Sequence, residues 1–310
     1  MTTKSAVKRP SRPGRALGPA WPAYLMLGPF LSVYLLFVVA PIVLTFVLSF
    51  TQWNGVTSPK FVGTDTFDAM LHSASVTKAF TNLIIYVVIT VPLGMAVGLG
   101  LALFINRLSG RLGAFMRSAV FFPYIMPLFI TALIWRWMLD PSFGIIDQIL
   151  VALGGPALDW RQDPVFMMAG LIIVDIWHSA GFNMLLLLAG LKSIPAELYE
   201  AAKLDGAGVG REIWSVTLPQ LRPVFFMVTA NAFISAFQVF DLPWLLTESQ
   251  ASKGTGGPHQ GLLFPVMEAV IRSTGGMRFG DAAVIGVLLL GLIALTTAVS
   301  FLIRRRWEDD

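Results

Sequence analysis

Six polar side chains lie inside long apolar stretches of the sequence, where hydrogen-bonding groups are unusual. Asp175 and His178 are three residues apart, which lets them meet on one face of a helix. Such groups are costly in an apolar environment and mark paths for solutes or ions. Carboxylate, imidazole, amide and hydroxyl groups together donate and accept hydrogen bonds. The set that we expect to line a path for a polar solute comprises Asp175, His178, Asn183, Asn231, Ser235 and Gln238.

The same side chains have two other interpretations. Polar groups on packed helices also bond from one helix to another, which holds the helices together or lines a water path. An Asp175–His178 pair is moreover typical of the proton relay of a secondary transporter, which is the alternative function. Secondary transporters typically show inverted repeats and intramembrane charge pairs, whereas this sequence shows no clear repeat and one acid within a span.

The sequence offers no residue set for catalysis or for a metal ion. It contains no cysteine and only three scattered histidines, so we predict no catalytic residue and no metal site. His178-Ser179 resembles part of a hydrolase site, but adjacent residues of a helix do not face each other. The nucleotide-binding pattern G-x-x-x-x-G-K-S/T is also absent. We therefore do not expect an enzyme.

Membrane-spanning helices must position these polar groups. Of the 310 residues, 55% are hydrophobic and 13% are charged, which is about half of the charged fraction of a soluble domain. This excludes an ordinary water-soluble fold, and a net charge of +4 does not indicate a nucleic-acid partner. Apolar runs of about 20 residues must be helices in lipid, because each backbone amide needs a partner there. We predict an all-α polytopic membrane protein with six transmembrane helices, at about 23–50, 79–105, 116–138, 165–191, 220–241 and 282–303.

Basic residues predict the orientation of these spans. With the amino terminus in the cytosol, fifteen of the 22 Lys and Arg residues lie on the cytosolic side and seven on the other. The excess of basic residues on the cytosolic side therefore places both termini there. Residues 1–22 are predicted to be a basic cytosolic tail, 23–305 the transmembrane domain and 306–310 a cytosolic carboxyl terminus.

Three prolines inside the predicted spans are expected to bend or break them. They are Pro92 in the second span and Pro123 and Pro127 in the third. Breaks at these positions would permit alternating access to the two sides of the membrane, and simple kinks are the plainer interpretation.

The cytosolic connection at 193–219 has helix signals of its own. Pro195 marks a start, Glu197 lies in the first turn, where the helix dipole favours an acid, and Gly206 is a carboxyl-terminal stop. A second short helix is expected at about 211–216. Acids equal bases in number around this connection, whereas a helix lying on a membrane surface would be basic. We therefore predict a compact helix–turn–helix that docks on another protein.

This connection resembles the EAA signature of binding-protein-dependent ABC importer permeases. The motifs that carry the resemblance are Glu200-Ala201-Ala202, Asp205-Gly206-Ala207 and Val216-Thr217-Leu218-Pro219. The spacing from Gly206 to Leu218 is that of the family. Further short motifs resemble those of the carbohydrate-uptake branch, which includes the maltose, lactose and glycerol-3-phosphate permeases. Among them are Phe50-Thr51-Gln52-Trp53-Asn54, Trp135-Arg136-Trp137 and Phe237-Gln238-Val239-Phe240-Asp241.

The resemblance implies a type I ABC importer permease fold and a subunit that translocates a sugar or sugar-like solute. Because sugars bind aromatic faces as well as polar groups, Trp135 becomes a further candidate for the solute path. The residues that would couple the chain to an ATPase are Glu200, Ala201, Ala202, Asp205, Gly206, Ala207, Leu218 and Pro219.

The resemblance also implies partners and a location. The partners are a second permease subunit, usually a sister chain, a dimer of ATP-binding subunits and an extracytoplasmic substrate-binding protein. ATP and Mg²⁺ would be bound by the ATPase, so this chain would hold no cofactor. The protein would span the lipid bilayer of a bacterial or archaeal cell (inner) membrane.

One external loop departs from the family pattern. About eight residues separate Thr247 from Gly256-Gly257-Pro258, so the family's Thr-Gly-Gly-rich loop is displaced in this sequence. Contacts with a binding protein are therefore not assigned to 247–261.

Overall fold

The structure, a computed structural model, describes residues 21–247 and 256–309. Nearly all of the predicted basic tail, 1–22, lies outside this description, and so does the last residue of the chain. The chain divides into two compact units, residues 1–44 and residues 45–310.

The first unit contains the first apolar helix. Helix α1 (Trp21–Tyr34) continues through a π-helical turn (Leu35–Val39) into α2 (Ala40–Leu48), and the unit ends within α2. Residues 26–48 have a mean hydropathy of 2.6 and are long enough to cross a membrane.

The second unit contains the end of α2 and all later elements. In chain order its helices are α3 (Asp65–Leu71), α4 (Ala74–Asn106), α5 (Gly110–Ile125), α6 (Leu128–Met138), α7 (Ile145–Ala152), α8 (Pro164–Ser193), α9 (Ala196–Leu204), α10 (Val209–Glu212), α11 (Leu218–Phe237), α12 (Asp241–Thr247), α13 (Pro265–Val270) and α14 (Phe279–Asp309). π-Helical turns follow α10 (Ile213–Thr217) and α13 (Ile271–Gly275), and Pro258–Gln260 is a 3₁₀ turn.

Strands are a minor feature of the described residues. The two-residue strands β1 (Thr51–Gln52) and β2 (Lys60–Phe61) pair antiparallel, with Thr51 opposite Phe61. The rest of the regular structure in the described ranges is helical, which confirms the predicted all-α class.

Candidate spans occupy the six stretches predicted from the sequence. Four helices of the described chain are long and apolar enough to cross a membrane: Met26–Leu48, Ala74–Asn106, Pro164–Ser193 and Phe279–Leu302. Two further candidates are bent pairs of helices. They are Gly110–Ile125 with Leu128–Met138, bent by 96°, and Val209–Phe237 with Asp241–Thr247, bent by 42°.

One of the three prolines singled out from the sequence lies at a sharp break. Pro127 stands between α5 and α6, and Met126 before it has an extended backbone (φ −68°, ψ 137°). A residue that precedes proline is disfavoured in the helical region, which accounts for the break at this point. Pro92 and Pro123, by contrast, lie inside α4 and α5, which continue past them.

The second short helix expected at about 211–216 is not a separate element. The chain becomes helical at Val209 and continues through the π-helical turn Ile213–Thr217 directly into α11. Pro219 has no N–H with which to make an α-helical bond to Ser215, and the π-helical turn contains Ser215. The chain therefore passes from this helix into the fifth span without a break.

Helices α4 and α8 pack side by side at the centre of the second unit. Gly94 lies against Ile176, and Gly98 one turn later lies against Asn183, so the two helices run in the same direction. A β-carbon at Gly98 would lie 2.7 Å from that of Asn183. A small residue is therefore needed here to bring the two backbones together.

Helix α5 approaches the same α8 through another glycine. A β-carbon at Gly181 would lie 2.7 Å from the α-carbon of Phe121 and closer still to the carbonyl oxygen of Val120. These contacts are with backbone atoms, which a side-chain rotation cannot relieve. The position of α5 on α8 thus depends on Gly181.

A buried ion-pair network joins α13, α14 and the beginning of α4. The guanidinium of Arg272 donates hydrogen bonds to Glu268 at 2.7 Å and to Asp281 at 3.2 Å. It also donates to the hydroxyls of Ser73 and Ser75, at 2.9 and 3.0 Å. A buried charge is costly unless it is fully paired, so this network holds the three helices in a fixed arrangement.

The glycine-rich segment that resumes at Gly256 packs on α4. Gly256 has a φ of +76°, and the side-chain amide of Asn82 donates hydrogen bonds to the carbonyls of Gln260 and Leu263, at 2.8 and 2.9 Å. The predicted displacement of the Thr-Gly-Gly-rich loop concerns 248–255, which lie outside the described residues.

Replacing Gly181 with alanine is expected to lower stability, because the added methyl group meets the backbone of α5. Overpacking of this kind costs about 1–3 kcal/mol, which corresponds to a loss of several degrees in the melting temperature. Thermal unfolding of the detergent-purified protein, followed by size-exclusion fluorescence, measures the shift.

Gly100→Ala is the matched control, since a β-carbon at Gly100 of α4 meets nothing within 4 Å. Alanine there is expected to leave the melting temperature unchanged or to raise it, because alanine favours a helix more than glycine does. Equal melting temperatures for the Gly181 and Gly100 variants would contradict the close approach of α5 and α8.

Candidate functional site

A cavity of about 240 Å³ opens among α4, α5, α8, α11 and α12. All six polar residues singled out from the sequence line it. Three come from α8 (Asp175, His178 and Asn183), two from α11 (Asn231 and Ser235), and Gln238 follows the end of α11. The structure thus brings together side chains that are up to 63 positions apart in the chain.

Two polar residues of α4 face α8 across this cavity. The side chain of Tyr86 lies beside the carboxylate of Asp175. Thr90, one turn further along α4, also lines the cavity, and its hydroxyl is buried with no hydrogen-bond partner in the described part of the chain. A buried unpaired hydroxyl at the cavity wall is a group that a bound solute or water would satisfy.

Aromatic rings form one wall of the cavity. The ring of Tyr124 from α5 stacks on Phe182 of α8 with a centroid distance of 4.8 Å and an angle of 18° between the planes. Tyr124 also lies 5.6 Å from the ring of His178. The Nε2 atom of His178 donates to the Met126 carbonyl at 3.4 Å, at the break between α5 and α6. This stack offers a flat apolar face beside the polar groups of α8.

The remaining polar side chains have unused hydrogen-bonding capacity. Asn231, Ser235 and Gln238 are exposed and line the cavity, and their side chains make no hydrogen bond to other described residues. Two amides and a hydroxyl supply both donors and acceptors. The arrangement suits a solute that carries many hydroxyl groups.

Trp135 does not belong to the cavity, contrary to the expectation from the sequence. Its ring is 7% exposed and packs edge-on against Trp177 at 5.5 Å. Trp135 lies beyond the break at Pro127, and α6 departs there at 96° from the direction of α5. The bend makes Trp135 a core residue.

The cavity-lining residues that sequence reasoning missed include Tyr86, Thr90, Tyr124, Phe182 and Asp241. A helical spacing of four relates Tyr86 to Thr90, and Phe182 to His178, so a search of the helix face around Asp175 and His178 would have found Phe182. No comparable signal exists for Tyr124, because it reaches the cavity only through the packing of α5 on α8.

The segment predicted to dock on a partner, 193–219, forms a short helix and a tight turn. Helix α9 ends at Leu204, and Gly206 adopts a φ of +74°. Ala207 donates its backbone N–H to Ala202 at 2.9 Å, and Gly206 donates to Lys203 at 3.0 Å. This pair of bonds is the Schellman motif, which ends a helix with a left-handed residue, usually glycine.

Most residues of the predicted signature are accessible. Glu200, Ala201, Asp205 and Gly206 are exposed, while Ala202, Ala207, Leu218 and Pro219 are partly buried. Three apolar side chains that the sequence reading did not single out are also exposed: Leu204 at 90%, Trp214 at 75% and Val209 at 55%. Large exposed apolar side chains in the same segment as exposed acids are typical of a protein–protein contact.

The signature segment is connected to the cavity by a single helix. Tyr199 of α9 bonds to Thr217 at 3.1 Å, and Thr217 directly precedes α11. Leu218 begins α11 and Asn231 lies thirteen positions later, about 20 Å away at 1.5 Å per residue. One hydrogen bond and one continuous helix therefore connect α9 to the cavity wall.

Residues 91–309 match the protein family described as "Binding-protein-dependent transport system inner membrane component". The match includes the cavity residues of α8 and α11 and the whole of the signature segment. The chain belongs to this family. It is a membrane-spanning permease, and membership of this family is contrary to the alternative of a secondary transporter.

Similar proteins support the same assignment. A sulfoquinovosyl glycerol transport system permease of Agrobacterium fabrum is 31% identical, with 91% of this chain and 90% of that protein covered. A trehalose/maltose transport system permease of Thermococcus litoralis is 34% identical, with 72% of this chain and 76% of that protein covered.

A solved structure has the same fold. It is titled as a bacterial alginate ABC transporter in complex with an alginate pentasaccharide-bound periplasmic protein. One of its chains superposes on this permease with a TM-score of 0.80 at 22% identity, with 93% of this chain and 95% of that chain covered. The predicted ABC importer permease fold is confirmed.

Filling the cavity is expected to abolish transport. Ser235→Trp places a large ring among the exposed polar groups, so uptake by the assembled importer should fall by about tenfold or more, since a filled site cannot hold a solute. Radiolabelled uptake into proteoliposomes measures the effect, with the amount of assembled complex determined in parallel.

Ile234→Trp is the control, because Ile234 is the preceding residue of α11 and does not line the cavity. Its uptake is expected to stay close to that of the unmodified permease. Normal uptake by the Ser235 variant would show that the solute passes elsewhere.

Proposed function

We propose that this permease translocates a sugar or sugar-like solute that an extracytoplasmic binding protein delivers and that ATP hydrolysis on a partner subunit drives. The observation that carries the proposal is the convergence of six hydrogen-bonding side chains and an aromatic stack on one cavity. Sugars bind to this combination of an aromatic face and groups that donate and accept hydrogen bonds.

The relatives support the choice of a sugar. They are named for the transport of sulfoquinovosyl glycerol and of trehalose and maltose, and the solved structure is named for alginate. These solutes share a saccharide unit with several hydroxyl groups. The amides of Asn231 and Gln238 and the hydroxyl of Ser235 are the groups of this chain that we expect to bind such hydroxyls.

The ATPase is expected on partner subunits that dock at the signature segment. Glu200 and Asp205 would anchor basic or amide groups of the partner, while Leu204 and Trp214 would supply buried apolar contact. ATP and Mg²⁺ would then bind to that partner, and this chain would act without a cofactor and without enzymatic activity of its own. Closure of a pair of ATP-binding subunits would push α9, and α11 would pass the movement to Asn231 and Ser235.

A second permease subunit is expected to complete the path. The polar side chains of Asn231, Ser235 and Gln238 are exposed in the single chain, which is costly within a membrane unless another protein or water faces them. A homologous sister chain with a matching polar face would close the cavity. The alternating exposure of that cavity would follow from movement of the two permeases against each other.

The protein is expected in the cell (inner) membrane of a bacterium or archaeon, with both termini in the cytosol. The excess of Lys and Arg on the side of α9 supports this orientation. It places the signature segment where ATP is available and the beginnings of α4 and α8 toward the binding protein.

Changes in the signature segment are expected to uncouple transport from ATP hydrolysis. Glu200→Lys reverses an anchoring charge, and Gly206→Val forces a branched residue into a left-handed conformation. Each should lower uptake by about tenfold or more, as for loss of an interface anchor. Uptake and solute-stimulated ATP hydrolysis of the reconstituted importer are the measurements.

Asp65→Lys is the control, because it makes the same change of charge on the exposed helix α3, outside the signature segment. It should transport normally. ATP-dependent uptake that survives both Glu200→Lys and Gly206→Val would refute the role of this segment.

Single cysteines are expected to report the orientation directly, since the chain has none of its own. A membrane-impermeant maleimide should label Ser58→Cys in intact cells, because Ser58 lies in the exposed loop between the first two spans. Lys203→Cys, in α9, should be labelled only after the membrane is permeabilised. Labelling of Lys203→Cys in intact cells would reverse the topology.

A further inference from the structure

The charged groups that line the cavity are acids. Asp175 lines it from the middle of α8, and Asp241 lines it from the first turn of α12. Of the side chains that the structure describes, no lysine or arginine lines it. Two arginines on neighbouring elements are engaged in ion pairs, Arg161 with Asp140 at 2.8 Å and Arg272 with Glu268 at 2.7 Å.

Independent features mark the cavity as a place where a solute binds. Thr90 lines it and is only 5% exposed, and its hydroxyl has no hydrogen-bond partner among the described residues. The stack of Tyr124 on Phe182 supplies a flat face on the same cavity. The acids are therefore part of a lined site and not an isolated cluster.

We propose that this cavity selects neutral saccharides and discriminates against acidic ones, with Asp175 as the residue that sets the preference. The proposal rests on the proposed function, because it concerns the solute that passes through the same cavity. A carboxylate accepts hydrogen bonds from sugar hydroxyls, whereas a uronate, sulfonate or phosphate group would meet like charge.

The physical basis is the field inside a narrow polar cavity with apolar walls. Charges of one sign focus their field in such a cavity, since water does not screen them as it does at an open surface. An acidic sugar would need a cation to pair with, and the lining of this chain supplies amides, hydroxyls and carboxylates. Discrimination would thus come from repulsion as well as from contacts to the accepted solute.

The sign of the field can be measured without knowing the solute. Ser235→Cys places a lone thiol of this chain at the cavity, because the natural chain has no cysteine. The complete importer in detergent is treated with methanethiosulfonates that carry either a trimethylammonium or a sulfonate group. Mass spectrometry follows the rate at which each reagent modifies this chain. Each rate is divided by the rate of the same reagent with a small free thiol. The cationic reagent is expected to react at least about tenfold faster.

Removal of the acid tests the role of Asp175. We call the corrected rate of the cationic reagent divided by that of the anionic reagent the rate ratio. In the Ser235→Cys background, Asp175→Asn is expected to lower this rate ratio by at least about threefold. Asp163→Asn is the matched control, because it also removes one acid, from the beginning of α8, at a position that does not line the cavity. Asparagine caps a helix as well as aspartate does, so the start of α8 is preserved. The control should leave the ratio unchanged.

A rate ratio at or below one in the complete importer would overturn the proposal, because a partner would then supply the opposite charge. An unchanged ratio in Asp175→Asn would remove Asp175 from it. Uptake is then tested with paired oligosaccharides of glucose and of glucuronate. We expect the neutral member of a pair to be transported, and exclusive uptake of the acidic member would contradict the proposal.

Failure of the proposed sugar-transport function would give a different result. If the importer transports no saccharide of either kind while the thiol rates still favour the cation, then the proposed sugar function fails and the measured sign of the cavity stands.

Discussion

The close contacts of α8 with α4 and α5 are the constraint on which the cavity depends. Gly98 lets α4 approach Asn183, and Gly181 brings α8 against the backbone of α5. Both contacts leave no room for a larger residue, so the rotation of α8 is determined. That rotation directs Asp175 and His178 toward the cavity, where Tyr86 and Tyr124 meet them.

The membrane imposes a second condition, which the chain meets by continuous helices. Backbone groups in lipid must be paired within their own segment, and breaks are tolerated where they face protein or a cavity. The break at Pro127 follows this condition, since the Met126 carbonyl beside it accepts a bond from His178, a cavity residue. The chain from Val209 through α11, by contrast, is helical without a break. This continuous helix joins the signature segment to the cavity.

Polar groups in the Arg272 network and polar groups in the cavity have different physical roles. The network around Arg272 is fully paired, so it holds α13, α14 and the beginning of α4 in place. The side chains of Asn231, Ser235 and Gln238 have no partner among the described residues, so they remain free to bind a solute. Satisfied groups position the helices, and unsatisfied groups retain the capacity to hydrogen-bond to a solute.

The sequence by itself determined the features that depend on local chemistry. Apolar runs located the spans, because lipid requires helices of a minimum length, and Gly206 marked the end of α9, because only glycine adopts its conformation easily. The polar residues of α8 and α11 were also found from the sequence, since a polar group within a span is rare. Only the tertiary structure decided that Trp135 is a core residue and that Tyr86 and Tyr124 line the cavity. The reason is that the direction of a side chain around a helix depends on which neighbours the helix packs against, and periodicity does not specify those neighbours when every face is apolar.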